Sequence, residues 1–288
     1  MFRDADYAVI SDHGYTPTTP SLNIALSDDF HRINFASDLH LDFGGIPDSF
    51  FIANPAKTLV VAGDIGEVKN YPLPRFQDFF RRASEHWNDV LIVAGNHEHY
   101  GSCFDETLDK MREAVREFVN ITVLDKSSIE IDGVVFIGGT LWTNFDNENQ
   151  EAMVTAGWRM NDYRCIKAST KPITPFRTLA DHKETLAKFG EILNKNASKA
   201  VVVISHHGPT MRSIDPDYVD EELLNFAYAS NLNRFIESHP NIIHWIHGHM
   251  HTRTNYRVGD NTQVHINARG YPNQFRDYHN YKPAEIFV

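Results

Sequence analysis

Residues 89–98 read Asp-Val-Leu-Ile-Val-Ala-Gly-Asn-His-Glu, DVLIVAGNHE. A short apolar run rich in β-branched residues stops at a glycine and hands over to an amide, an imidazole and a carboxylate. Such a run, bounded by a turn signal, reads as a strand buried on both faces. The same design recurs in HRINFASDLH (31–40), TLVVAGD (58–64), VVFIGG (134–139), AVVVISHHGP (200–209) and IIHWIHGHMH (242–251). Between these runs lie helical stretches at roughly 73–87, 104–118, 178–195 and 221–238. Their apolar residues are spaced by three and four, as in Phe104, Leu108, Met111, Val115 and Phe118. Strands alternating with helices predict an α/β fold with a largely parallel sheet covered on both faces.

The chain has 288 residues, 42% hydrophobic and 23% charged, and no apolar run approaches the 18 or so residues of a membrane span. No Gly/Ser-rich or Pro-rich linker divides it, so one domain over 31–288 is expected, preceded by an irregular arm at 1–30 with a short edge strand near Asn23 to Leu26. The first thirty residues lack the basic and apolar regions of a secretory signal. Two cysteines, Cys103 and Cys165, make no disulfide framework. Together these features predict a cytoplasmic protein. A net charge of −11 disfavours binding a nucleic-acid polymer along a wide basic face, and a nuclease with it. It leaves open a small anionic substrate drawn to a bound cation.

In parallel sheets, ligands gather at the carboxyl ends of strands, so the polar residues there are read as a set. They are Asp38 and His40, Asp64, Asn96 to Glu98, His206 and His207, and His249 and His251. Singly, each has an ordinary explanation: Asp38 as a cap or turn residue, Gly63-Asp64 and Gly95-Asn96 as turn pairs. Five strand ends that all offer Asp, Asn or His, and never Cys, are not explained that way. Carboxylate, amide oxygen and imidazole are donors for Mn, Fe, Zn or Ni, and the missing thiolate argues against a closed structural zinc. The donors exceed the needs of one ion, and two divalent or trivalent ions sharing a carboxylate, with a water or hydroxide between them, is the economical arrangement. That is a hydrolytic site.

The ordered set Asp-x-His, Gly-Asp, Gly-Asn-His-Glu, His-His-Gly-Pro and Gly-His-x-His resembles the calcineurin-like metallophosphoesterase superfamily over roughly residues 31 to 270. The resemblance implies a four-layer α/β/β/α sandwich, two packed mixed sheets flanked by helices. It also implies Asp38, His40 and His251 on one metal, Asn96, His206 and His249 on the other, and Asp64 bridging them. His97 would approach the phosphate and leaving group without binding metal, and Glu98 would hold an imidazole in its useful tautomer. His247 should face away from the site, and Gly248 should allow a tight turn. His207 is open between facing away and touching substrate. His99, His244 and His265 read as structural.

Residues 140–177 form the longest stretch between the strands, rich in aromatics, Asn and Arg. They read equally as a lid or pocket wall and as a satellite hydrophobic cluster. The first reading offers Trp142, Asn144, Trp158, Arg159, Asn161, Asp162, Tyr163 and Arg164 for contact with a leaving group. Asn267 to Tyr271 has the same status, with Arg269 able to reach a phosphate or to pair with a surface carboxylate. The expected activity is hydrolysis of a small-molecule or nucleotide phosphodiester, with His97 as acid. A phosphomonoesterase, including a protein phosphatase, is the alternative, and an inactive scaffold is disfavoured by the full ligand set. No membrane partner is expected.

Overall fold

The structure is a computed structural model that describes residues 31–288, so the arm at 1–30 and its expected strand lie outside the described residues. Strands β1 (Arg32–Ala36), β2 (Thr58–Val61), β3 (Asp89–Ile92) and β4 (Ile121–Val123) pair in parallel. β13 (Ala284–Phe287) joins β1 antiparallel, giving the order β13-β1-β2-β3-β4. A second sheet is built from β6 (Val134–Gly139), β9 (Val201–Ser205), β10 (Ile242–His247) and β12 (Thr262–Asn267), all parallel. β5 (Ser127–Ile131) and β11 (Arg253–Val258) form its antiparallel edges. A small hairpin pairs β7 (Lys167–Ala168) with β8 (Lys171–Pro172).

The two large sheets pack face to face. Alternation sends Ile33, Phe35, Val60, Ala62, Leu91 and Val93 inward, where they meet Phe136, Val202, Ile204 and Ile246 of the second sheet. The opposite faces carry Leu59, Val61, Val90 and Ile92 toward α1 (Pro74–His86) and α2 (Thr107–Val115). On the far side, Val135, Ile137, Val203 and Trp245 pack against Phe189, Leu193 and Ile236 of α6 (Pro175–Lys195) and α8 (Asn233–Glu237). The result is the four-layer α/β/β/α sandwich, in place of the single parallel sheet that the strand pattern alone suggests. An apolar run buried on both faces does not reveal whether its second face meets a helix or another sheet.

Helix α1 shows how local sequence sets an element. Pro74 occupies its first turn, where no amide partner is lost, and Phe76, Phe79, Phe80 and Ala83 recur on one buried face. The stretch expected as a helix at 221–238 breaks into α7 (Glu222–Asn225) and α8. Between them, Gly208 donates to Tyr228 O and Ser230 to Gly208 O, so the backbone is recruited by the loop after β9. Residues 140–177 hold α3 (Phe145–Glu148), with left-handed backbone, then α4 (Gln150–Arg159) and α5 (Asp162–Cys165). Phe145, Met153, Met160, Tyr163 and Ile166 form their own apolar cluster there. Among the described residues, no helix is long and apolar enough to cross a membrane.

Candidate functional site

The loops after β1, β2 and β3 of one sheet and β9 and β10 of the other converge on one point. Backbone hydrogen bonds tie them: Asp38 N to Gly63 O, His40 N to Asp64 O, both 3.0 Å, and Gly248 N to His206 O at 3.1 Å. Across the sheets, His249 N donates to Asp38 Oδ1 at 2.9 Å. Five of the seven side chains expected as ligands sit on left-handed backbone, with φ of 51° at Asp38, 44° at His40, 54° at Asp64, 69° at His249 and 46° at His251. Non-glycine residues rarely adopt that region, at about 1–3 kcal/mol each, so the surrounding bonds are holding a strained constellation in place.

Asp38, His40, Asp64 and His251 each bring a donor atom within 4.8 Å of all the others, the spacing of a coordination sphere whose bonds run about 2.0–2.2 Å. His40 Nε2 and His251 Nε2 are 2.9 Å apart, with Asp64 Oδ2 3.7 Å from the first and Asp38 Oδ1 3.5 Å from the second. The other oxygen, Asp64 Oδ1, lies 3.4 Å from His206 Nε2, which is 3.0 Å from Asn96 Oδ1. The His249 ring stands 5.0 Å from that of His206. One carboxylate therefore presents one oxygen to each of two donor groups.

The protein also fixes which nitrogen each ring offers. His206 Nδ1 is held by Ala62 O at 2.9 Å and His251 Nδ1 by Gln274 Oε1 at 2.8 Å, so both rings turn Nε2 toward the centre. Burial holds His40 and His249 well below the ordinary imidazole range, so they are neutral donors. Burial lowers His206 too, but Asp64 outweighs it and raises the group to about 10. Burial would raise Asp64, yet His206 and His97 hold its carboxyl well below the usual range. In dry surroundings Asp64 demands a positive partner, and the His206 proton fills the role that a cation fills better. The residues thus fit a metal centre by donor chemistry, spacing and charge.

His97 lies beside this centre. Its Nε2 is 4.0 Å from Asp64 Oδ2 and 3.2 Å from the Tyr271 hydroxyl, its amide donates to Asp64 Oδ1 at 2.9 Å, and its ring stacks on Tyr100 at 4.3 Å. Tyr271 also covers His40 and His251, with ring centroids at 4.5 and 4.6 Å, and meets the exposed Phe43 at 5.2 Å.

Several expectations are corrected. Glu98 holds no imidazole: it is buried and accepts from the amides of Asp64, Ile65, Gly66 and Gly95 and from the Tyr71 hydroxyl. The tight turn expected at Gly248 is present, with Met250 N donating to Gly248 O at 2.8 Å, and glycine is needed there for space, since a Cβ would lie 2.8 Å from Asp38 Oδ2 and from Ala62 O. Arg269 reaches no substrate, because it is 1% exposed and donates to the carbonyls of Leu39, Gly44 and Gly45. Tyr163 is buried with its hydroxyl on Thr178. Trp158 is 74% exposed with Arg164 donating to its carbonyl, and Asn161 is exposed with its carbonyl capping α5, so none of the three lines an enclosed pocket. His207 is fully buried, packed between the tilted rings of Trp142 at 4.7 Å and His249 at 4.2 Å, which removes it from substrate. Trp142 is likewise buried, and Arg159 pairs with Glu221 on the surface. Asp162 bonds Asn96 and Tyr100 rather than a leaving group.

His247 faces away from the centre, held by Ser213 Oγ at 2.8 Å, and His244 and His265 bond each other at 3.0 Å. Sequence reasoning passed over Tyr100, Gln274 and Phe43. Their only signal was position: Tyr100 follows Asn96 by four residues, and Gln274 follows the flagged Asn267 to Tyr271 by three.

Residues 31–253 match the family model described as calcineurin-like phosphoesterase. An uncharacterized protein of Acanthamoeba polyphaga mimivirus is 25% identical over 279 residues, covering 88% of this chain and 96% of its own. Among solved structures, the phosphopantetheinyl hydrolase of Mycobacterium tuberculosis is similar with a TM-score of 0.65 at 15% identity, over 88% of this chain and 95% of its own. A protein of Thermus thermophilus gives 0.52 at 12% identity, over 84% and 90%. At those identities the two structures speak to fold alone.

Proposed function

The chain belongs to the calcineurin-like phosphoesterases and is a metal-dependent phosphoester hydrolase, and on that premise we propose that it cleaves phosphodiesters of small molecules or nucleotides at a two-ion site. The observation that carries the reading is Asp64, with Oδ2 toward His40 and Oδ1 toward His206. It supports Asp38, His40 and His251 on one ion, Asn96, His206 and His249 on the other, and Asp64 on both. Ions held there supply Lewis acidity to the phosphoryl oxygens and a hydroxide nucleophile near neutral pH. The oxygen- and nitrogen-donor set suits Mn, Fe, Zn or Ni.

The chain's own residues then divide the work. Asp38 and Asp64 bring two negative charges to balance the ions, leaving the site positive toward a phosphoester in an acidic protein. His97 delivers a proton from Nε2 to the departing oxygen, its ring clamped by Tyr100 and its Nε2 aligned by Tyr271. A diester, like a monoester, expels an alkoxide that takes up that proton as its P–O bond breaks. It also carries a second organic group, for which the Tyr271 and Phe43 rings offer an apolar seat beside the centre. The test is metal analysis of the purified protein, with kinetics on p-nitrophenyl phosphate and bis-p-nitrophenyl phosphate in added Mn²⁺, Ni²⁺ or Zn²⁺. Two ions per chain and a higher kcat/KM for the bis ester are expected. A monoester kcat/KM at or above the diester value rejects the diester preference.

A further inference from the structure

One buried carboxylate beside the centre is used by none of the steps above. Asp162, at the start of α5, is 1% exposed. Its Oδ1 accepts from Asn96 Nδ2 at 2.8 Å and from the Tyr100 hydroxyl at 2.6 Å. An amide side chain is nearly symmetric in shape, so what decides which end faces a cation is the hydrogen bond made by the other end. With its NH₂ committed to Asp162, Asn96 must aim Oδ1 at His206 Nε2, the direction in which it lies at 3.0 Å. With its hydroxyl committed to the same oxygen, Tyr100 keeps its ring under His97 at 4.3 Å and 25°. Both side chains are built on the turn after β3, and Asp162 approaches from the 140–177 segment, more than sixty residues on.

We infer that Asp162 is a positioning residue that sets the amide of Asn96 for the His206-side ion and, through Tyr100, holds the His97 ring in place. The role assigned to the 140–177 segment is thus to support the centre from beneath rather than to line a pocket. The inference rests on the ligand reading proposed for Asn96. Partners of this kind, bonded to a ligand rather than to the ion, are worth about 10–100-fold in metal affinity.

The experiment is calorimetric titration of chelator-stripped protein with Mn²⁺, alongside stoichiometry from metal analysis, in Asp162→Ala, Asp162→Asn, Asn96→Ala, Asn96→Asp and the exchanged pair Asn96→Asp/Asp162→Asn. Asp162→Ala should weaken one of the two ions about 10–100-fold and leave the other unchanged, and Asn96→Ala should weaken that same ion. Asp162→Asn keeps the accepting oxygen and should bind within a few-fold of the parent. Asn96→Asp sets two carboxylates against each other, and adding Asp162→Asn should restore affinity, because the new amide donates back. If Asn96→Ala weakens one ion while Asp162→Ala binds both like the parent, the inference is wrong and the ligand reading stands. If Asn96→Ala itself binds both ions like the parent, the ligand reading falls and takes the inference with it. Should Asp162→Ala not fold, the exchange decides: an exchanged pair no tighter than Asn96→Asp overturns the inference.

Discussion

Replacing Glu98 by Gln tests how the centre is held. Oε1 accepts from Ile65 N at 2.7 Å, Gly66 N at 3.3 Å and the Tyr71 hydroxyl at 3.0 Å, and Oε2 from Asp64 N at 3.0 Å and Gly95 N at 2.6 Å. Burial and the charge of Asp64 push the Glu98 carboxyl up to about 7, against the donors that favour its charge. At pH 8 it is therefore a carboxylate. Gln offers one acceptor, and wherever its NH₂ is placed, it confronts two backbone amides with a donor. Tyr71 can reverse its hydroxyl, but amides cannot. Two buried N–H groups left unsatisfied cost about 1–3 kcal/mol each, so Glu98→Gln should lose about 2–6 kcal/mol of stability. Urea unfolding at pH 8 measures this through the midpoint at constant slope. A shift equivalent to less than about 1 kcal/mol would refute the claim that this carboxylate clasps the β2 and β3 loops together.

Three further outcomes are expected. His97→Ala should retain both ions by metal analysis yet lose about 10²–10⁴ in kcat on an ester with a poor leaving group; loss of metal, or an unaltered rate, counts against its role. Tyr163→Ala should destabilise by about 3–5 kcal/mol as a core truncation, while Trp158→Ala leaves KM and stability near parent values; a raised KM in the Trp158 variant would restore that residue to the substrate site. His265 is pulled down to about 3 by burial, then by His244 and His247. Its folded value lies below its unfolded one, so the unfolded chain binds the extra proton between about pH 3 and 6.5, and stability is present above that window and lost as pH falls through it, by about 1.4 kcal/mol per unit. His265→Leu should flatten the acid limb of urea midpoint against pH, and superimposable acid limbs would contradict this.

How much was legible in the sequence follows from the physics of each residue. Strands such as TLVVAGD and DVLIVAGNHE announce themselves, because burial on both faces demands unbroken apolar side chains and the ensuing polar residues have no use inside a sheet. The edges β5, β11 and β13 did not, because half-exposed edge strands carry polar residues such as Ser127, Arg257 and Glu285. The positions of Asp38, His40, Asp64, Asn96, His206, His249 and His251 could be read as a set, since donors at successive strand ends share one place in the fold. The partners that aim them could not. Whether Arg269 faces solvent or three carbonyls, and whether Asp162 or Trp158 turns toward the centre, depends on loop paths that carry no periodicity.

The five left-handed positions proposed as ligands bear on what becomes of this protein under selection. Asp38, His40, Asp64, His249 and His251 occupy backbone that glycine adopts without penalty. Any of them changed to glycine sheds local strain, while at Asp38 and Asp64 it also takes the acceptor from the His249 and His97 amides. A library screened for heat resistance alone places no demand on the residues proposed to hold the ions, so a substitution there that relieves more strain than it loses in contacts passes the screen inert. Descendants freed from the need to turn over substrate would drift the same way, keeping the sandwich and emptying its catalytic end. Screens for sturdier forms of this protein should pair every thermal measurement with a turnover measurement, because at these positions the two are set against each other.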